Sequence, residues 1–224
     1  MWILLEASLM TKGLAFFSGG KDSIFSIMKA MNNGIPIHYL LFNTHDFPRP
    51  NVHELNYNVV ETIASLIGIP LCKLHLKKDL EYFQLYELFS KLNIKWIIVG
   101  TINAMDQLKW YDELCKKMNI KLYAPLHNEK NNILIEEIKS GIKAIVCDLD
   151  PLRLNKNLLG KVINFENFEE FSSIGFYGEL GEYHTLVLEA PIMSGKIIPK
   201  KYNIIEKWGR CMLKINEFDV VKFL

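Results

Sequence analysis

Leu14-Ala15-Phe16-Phe17-Ser18-Gly19-Gly20-Lys21-Asp22-Ser23 is the stretch whose reading decides how this chain folds. The apolar run 14–17 reads as a buried strand, and Ile24, Ile27, Met28 and Met31 follow at helical spacing. Between them sits a tight Gly-Gly turn, so the stretch predicts strand, turn and helix start. Glycines let successive backbone N–H groups point inward, and the helix N-terminus adds partial positive charge. Such a nest suits a phosphate or pyrophosphate. The plainer alternative is an ordinary strand-to-helix turn with an Asp or Ser cap. Lys21, Asp22 and the flanking serines together favour nucleotide binding.

Outward from this stretch the chain alternates strand and helix. Residues 37–42 read as a second strand, followed by a Pro-containing polar loop over 43–51. That loop lies just beyond a strand's C-terminal end, where open α/β sheets place ligands. Helical spacing covers 52–67 and stops at Gly68 and Pro70. Then come a strand at 71–76, a helix at 79–92, a buried strand at 96–99 ending at Gly100, a helix at 103–118 and a short strand at 121–124. This alternation predicts an α/β fold with a parallel sheet and helices on both faces.

From about residue 128 the character changes. A short helix is expected at 131–140, a strand at 143–147 and another helix at 165–174. Short β-like segments follow at 185–189, 196–198, 204–208, 211–215 and 220–223. The expected organisation is an N-terminal extension over 1–11, a nucleotide-binding domain over 12–127 and a smaller α+β domain over 128–224. The second domain is expected to pack against the ligand edge of the sheet.

Composition narrows the partners. Half of the 224 residues are hydrophobic and the net charge is +1, with acids and bases mixed along the chain. A broad electrostatic footprint for nucleic acid is absent, so nucleic acid is not the expected partner. No apolar run approaches the roughly 20 residues of a membrane span. Met1-Trp2-Ile3-Leu4-Leu5 is interrupted by Glu6 and no basic region precedes it, which argues against a signal peptide. Met10 is one candidate for the start, which would make 1–9 an upstream extension. Cys72, Cys115, Cys147 and Cys211 contain no C-x-x-C pair. That argues against a zinc ribbon or a dithiol sulfur carrier and fits reduced structural thiols in a cytoplasmic protein. Lys196, Lys200, Lys201, Lys207, Arg210 and Lys214 gather near the C-terminus, as a protein-docking face or, more plainly, a solvated β-surface.

Two further groups carry candidate chemistry. His45 and His53, with Asp46 and Glu54, could line the nucleotide or acceptor site, or be solvated loop and cap residues. A metal site is disfavoured because no third ligand accompanies them. Late in the chain stands Gly178-Glu179-Leu180-Gly181-Glu182-Tyr183-His184-Thr185. As this loop enters a strand, Glu182 and His184 are expected on one face and Tyr183 and Thr185 on the other. Two carboxylates, an imidazole and an aromatic ring could hold a cationic acceptor, with His184 or a glutamate taking protons from an attacking amine. A polar surface hairpin turn is the alternative.

Ser18–Ser23 does not match the Walker pattern or the G-x-G-x-x-G fingerprint. It resembles the PP-loop of the ATP pyrophosphatases, whose fold is Rossmann-like (the HUP type). Together with 178–185 and Glu189-Ala190-Pro191, it is similar to the diphthine–ammonia ligase family, and the resemblance covers residues 12–224. That resemblance implies ATP and Mg²⁺ as cofactors. It implies ATP binding by Ser18, Gly19, Gly20, Lys21, Asp22, Ser23, Asn43 and Gly100, with Asp22 helping to hold Mg²⁺. Lys21, Asp22, Glu182 and His184 would carry the chemistry. Glu179, Gly181, Glu182, Tyr183, His184, Thr185 and Gln107 would receive the acceptor. The implied reaction is amidation of diphthine on elongation factor 2 with ammonia or ammonium, through an acyl-adenylate, releasing AMP and pyrophosphate. A homo-oligomer is among the assemblies the sequence allows.

The chain departs from the family pattern in one place. The family tends to show G-A-I-x-S-x-Y-Q-R-x-R and, later, P-L-W. Here Gly100, Ile102 and Gln107 match, but Leu108 and Trp110 stand where arginines are expected and His127 follows Pro125-Leu126. An ammonium at Lys109 does not replace a guanidinium fork. A PP-loop tRNA-modifying enzyme and a non-catalytic nucleotide-binding homologue are the competing readings.

Overall fold

The computed structural model describes residues 11–46, 51–102, 104–127, 133–172 and 181–223. Residues 1–10 of the extension expected over 1–11, Asn103, and the Gly178, Glu179 and Leu180 part of the late cluster lie outside the described residues.

Strand β1 (Lys12–Phe16) is the centre of a five-stranded parallel sheet. On one side lie β2 (Tyr39–His45) and β3 (Leu71–Leu76); on the other lie β4 (Ile94–Ile98) and β5 (Lys121–Tyr123). The register sets Phe16 beside Leu41 and Ala15 beside Ile98, both pairs parallel. Alternation along β1 explains why the sheet needs two layers of helices. Ala15 and Phe17 belong to one hydrophobic cluster, Leu14 and Phe16 to another. The first cluster takes Ile24 and Ile27 from α1 (Lys21–Asn32) and Val60 and Ile63 from α3 (Tyr57–Ile67). The second takes Leu85 and Phe89 from α4 (Glu81–Leu92) and Leu108 and Leu114 from α5 (Met105–Met118). The chain leaves β1 for β2 on one side and later returns to β4 on the other. A topological switch point therefore opens at the C-terminal ends of these strands.

The helix expected over 52–67 is broken. α2 (Val52–Leu55) ends at Asn56 and α3 begins after it. Asn56 is 0 % exposed. Its Nδ2 donates to the carbonyls of Val52 and Leu213, and its Oδ1 accepts from the amide of Ile215. A side chain that satisfies backbone groups of a distant strand outweighs continued helical bonding at this position.

The remainder forms an antiparallel sheet flanked by α6 (Ile133–Lys139) and α7 (Phe168–Ser172). Its path runs β7 (Val162–Ile163), β6 (Lys143–Leu149), β10 (Arg210–Lys222), β9 (Gly195–Lys207), and β8 (Tyr183–Glu189) also pairs with β6. The four short segments expected after residue 195 are one long hairpin. Trp208 and Gly209, both at positive φ, make its turn. Alternating charge on its outer face hid its continuity: Lys201 pairs with Glu217 at 2.7 Å and Lys200 with Asp219 at 3.0 Å. Those lysines are thus neutralised across the hairpin. The strand β7 is an addition to the expected elements, and α7 is shorter than the helix read over 165–174, whose last two residues are not described.

The two sheets share one core. Leu186, Val187, Met212 and Leu213 pack in the same cluster as Ile24, Val60 and Ile63. All four cysteines are free; Cys115, Cys147 and Cys211 are buried and Cys72 half-buried. Among the described residues, no helix is long and apolar enough to cross a membrane.

Candidate active site

A cleft of about 440 Å³ lies at the switch point. Ser18, Asp22 and Ser23 form one wall, Asn43 and His45 another, and Gly100 and Thr101 close the end of β4. Gln107 and Tyr111 from α5, His53 from α2 and His184 from β8 complete it.

The loop that follows β1 is shaped by its own side chains. Gly19 sits at φ +77°, where an L side chain is strained. The amide of Gly20 donates to Ser18 Oγ at 3.2 Å, and Ser23 Oγ donates to the Gly20 carbonyl at 2.8 Å. A Cβ on Gly100 would stand 2.8 Å from the Asp22 carbonyl oxygen, so β4 ends hard against the first turn of α1. From behind, β8 grips the loop. Val187 N–H donates to the Gly19 carbonyl at 2.8 Å, and the Lys21 amide donates to Thr185 Oγ1 at 3.1 Å. Thr185, expected beside the acceptor, is thus placed under the 18–23 loop. The Lys21 amide is already engaged, which leaves the Asp22 and Ser23 end of the helix to meet an anion.

Lys21 is only 2 % exposed. Its Nζ lies 2.6 Å from Asp22 Oδ1, 3.0 Å from Glu137 Oε2 and 5.9 Å from the ring centroid of Tyr183. Glu137, on α6, is 1 % exposed and escaped the sequence reading. A signal was present: Ile133, Leu134 and Glu137 are the buried residues of that helix, so a carboxylate occupies an apolar face. Burial acts to lower the Lys21 ammonium, but Asp22 and Glu137 outweigh it and hold it well above its ordinary value. Burial, aided by the Asp22 carboxylate, pushes the Glu137 carboxyl up while Lys21 opposes. The ammonium keeps its proton, and the more buried carboxyl resists losing its own.

The late cluster divides by strand alternation. Tyr183 and Thr185 face the loop and Lys21, whereas His184 lines the cleft. Tyr183 is buried against Phe171, their centroids 5.3 Å apart. Its hydroxyl has no hydrogen-bond partner among the described residues. Glu182 lies just ahead of β8, buried, with Arg153 Nη1 3.6 Å from its Oε1, and does not join His184 in the cleft wall. The carbonyl of Gly181 accepts from Arg210, whose Nε and Nη2 also donate to the two oxygens of Asp148 at 3.0 and 2.9 Å. This bidentate pair orients Asp148, placing its Oδ2 3.8 Å from His184 Nε2. Neither Asp148 nor Arg210 was singled out as a site residue, because β6 and β10 meet only in the folded sheet.

His53 is buried and its ring stands edge-on to His184, centroids 5.6 Å apart. Burial, then the neighbouring His184, brings its pKa down to about 3. The helix cap is Asn51, whose side chain accepts from the His53 amide at 2.9 Å. His45 Nε2 lies 2.7 Å from Asn43 Nδ2, and burial lowers its pKa as well. Of the two acids read with them, Asp46 pairs with His75 at 3.1 Å and Glu54 is exposed.

At the positions that depart from the family pattern, Leu108 is buried in the cluster with Phe16 and Leu114. Trp110 lines a second cavity beside the cleft, and His127 Nδ1 lies 3.1 Å from the Ile102 carbonyl oxygen. Gln107 faces the cleft with its Oε1 accepting from Thr101 Oγ1 at 3.2 Å. No group of three or more His, Cys, Asp or Glu among the described residues is placed to hold a metal by protein ligands alone. The Asp22 carboxylate, about one-third exposed, suits a magnesium ion that takes its remaining ligands from phosphate and water.

Comparison with known proteins accords with this arrangement. Residues 11–122 match the family description "Diphthamide synthase N-terminal domain" and residues 130–220 match "Diphthamide synthase C-terminal domain". The chain is similar to the diphthine–ammonia ligase of Mus musculus, 29% identical over 82% of this chain and 81% of that protein. It is 24% identical to that of Danio rerio over 83% of this chain and 85% of the relative. The Schizosaccharomyces pombe ligase is 24% identical over 91% of this chain but only 39% of its own length. The chain belongs to the diphthamide synthase family.

Proposed function

We propose that this chain, a member of a family of carbon–nitrogen ligases, amidates diphthine on elongation factor 2 with ammonia at the expense of ATP. The observation that carries this reading is one cleft receiving both motifs of the resemblance: the Ser18–Ser23 loop from β1 and His184 from β8. In this reading the α1 N-terminus and the Ser18 hydroxyl receive the phosphates. Lys21 acts as a fixed positive charge beneath the loop, held by Asp22 and Glu137. Magnesium would be held by Asp22 and would neutralise phosphate charge. The diphthine carboxylate attacks the α-phosphate of ATP, pyrophosphate leaves, and ammonia then displaces AMP from the acyl-adenylate. The proton released by the attacking nitrogen goes to His184, beside Asp148. His53 stays neutral alongside and so adds no charge to oppose that transfer.

The test is direct. Purified protein with ATP, Mg²⁺, ammonium and diphthine-bearing elongation factor 2 is expected to release AMP and pyrophosphate and to form the amide. Absence of AMP overturns the reading. His184→Ala is expected to spare ATP binding and slow amide formation; an unchanged rate would reduce that residue to structure.

A further inference from the structure

Beside the nucleotide cleft lies a second cavity of about 330 Å³, between β2, the end of β3, α4 and α5. The two share Asn43, His45, Gln107 and Tyr111, so an occupant of one adjoins an occupant of the other. Gln107, Trp110 and Tyr111 stand at i, i+3 and i+4 on α5, which puts them on one helix face. Trp110 and Tyr111 meet edge-to-face at 5.4 Å, and Leu76 and Leu85 supply apolar wall. The polar groups are largely spent on one another: Asn43 on His45, and Gln107 on Thr101 and Tyr111. His45 is held toward its neutral form by burial. Glu81 remains as the charged side chain of the described lining.

Apolar and aromatic walls with one carboxylate select against most ligands. An anion meets Glu81. A primary ammonium needs several hydrogen-bond acceptors, and apart from the Glu81 carboxylate the side-chain acceptors of the described lining are already paired. A bulky cation with no N–H suits this lining: its methyl groups pack on the apolar and aromatic wall, Glu81 balances its charge, and it requires no acceptor. We propose that the cavity walled by Trp110, Tyr111 and Glu81 is a quaternary-ammonium site that holds the cationic part of the acceptor next to the nucleotide. This rests on the ligase reading above, because it assigns the cavity to the acceptor. It moves cation recognition away from Tyr183, whose ring already lies over Lys21 Nζ and against Phe171.

Tetramethylammonium chloride is the probe, with tert-butanol as the uncharged molecule of the same shape, both followed by saturation-transfer NMR on the full chain. The cation is expected to bind and the alcohol to bind more weakly. Trp110→Leu keeps the wall apolar but removes the aromatic ring, and is expected to weaken cation binding about three- to thirtyfold. Glu81→Gln is expected to weaken the cation and leave the alcohol unchanged. ATP binding by both variants verifies that they fold. No saturation of the cation in the unmodified protein, equal binding of the two probes, or unchanged cation binding in Trp110→Leu each overturns the proposal. AMP release on diphthine-bearing elongation factor 2 separates the two readings. Normal AMP release without cation binding refutes the cavity alone, and cation binding without AMP release refutes the ligase reading.

Discussion

His53 carries a consequence for acid stability that can be computed from its surroundings. Its ring is buried, its Nδ1 lacks a hydrogen-bond partner among the described residues, and His184 stands beside it. These conditions lower its pKa from 6.5 to about 3. As pH falls through 6.5 the unfolded chain takes up a proton that the folded chain refuses. Stability from this group is therefore complete above its unfolded pKa and is lost progressively toward the folded one. Between about pH 7.5 and about pH 5 the loss is about 2 kcal/mol, from RT ln(1 + 10^(pKa − pH)) for the unfolded imidazole. That figure hardly depends on the folded value, which lies well below the acid end of the window. His45 has the same sign of shift, and carboxylates add their own slopes, so the readout is a difference of differences. Urea unfolding of the unmodified protein and of His53→Leu, each at both pH values, gives it. The variant is expected to lose about 2 kcal/mol less on acidification. Identical pH dependence in the two proteins would refute a buried neutral imidazole at this position.

Three other outcomes follow from the packing around the cleft. Lys21→Met leaves the buried Glu137 carboxyl without its cation under the loop and is expected to cost about 3 kcal/mol in chemical denaturation as well as AMP formation. Adding Glu137→Gln should recover much of the stability but not the activity; additive losses would break the coupling read from their 3.0 Å pair. Asn56→Leu removes the side-chain partners of the buried Ile215 amide and the Leu213 carbonyl, while the Val52 carbonyl keeps the backbone amide of residue 56, and is expected to lower stability by about 2–4 kcal/mol. A Tm unchanged from the unmodified protein would count against it. Gly100→Ala drives a methyl to 2.8 Å from the Asp22 carbonyl oxygen, so ATP affinity measured by calorimetry should fall more than Tm does. Affinity preserved at full strength would mean that β4 and α1 separate without consequence.

The α/β architecture was legible because its signals are local. Apolar runs of strand length, helical spacing and the glycines at 19 and 20 are properties of adjacent residues, and they locate the turn between β1 and α1. Asn43 and Gly100 could be placed at the cleft for a related reason: they stand at the C-terminal ends of parallel strands, where an open sheet places ligands, whereas Gln107 on α5 was named from the family resemblance. The hairpin at 195–222 was read as fragments because its outer face is charged and its continuity comes from pairing with a partner strand.

The sequence alone thus determined the fold class, the loop and the family resemblance. Tertiary structure decided where the described members of the late cluster face. Whether a residue of β8 faces the loop or the cleft depends on register, and a shift of one position exchanges the two faces. Register here is set by β6 through Asp148 beside His184 and Leu149 beside Tyr183. That pairing sends Thr185 to the Lys21 amide, Tyr183 over the Lys21 ammonium and His184 alone to the cleft. Glu137 and Asp148 gained their importance in the same way. A carboxylate's role depends on the cation and the burial it meets, and both come from parts of the chain far away in sequence.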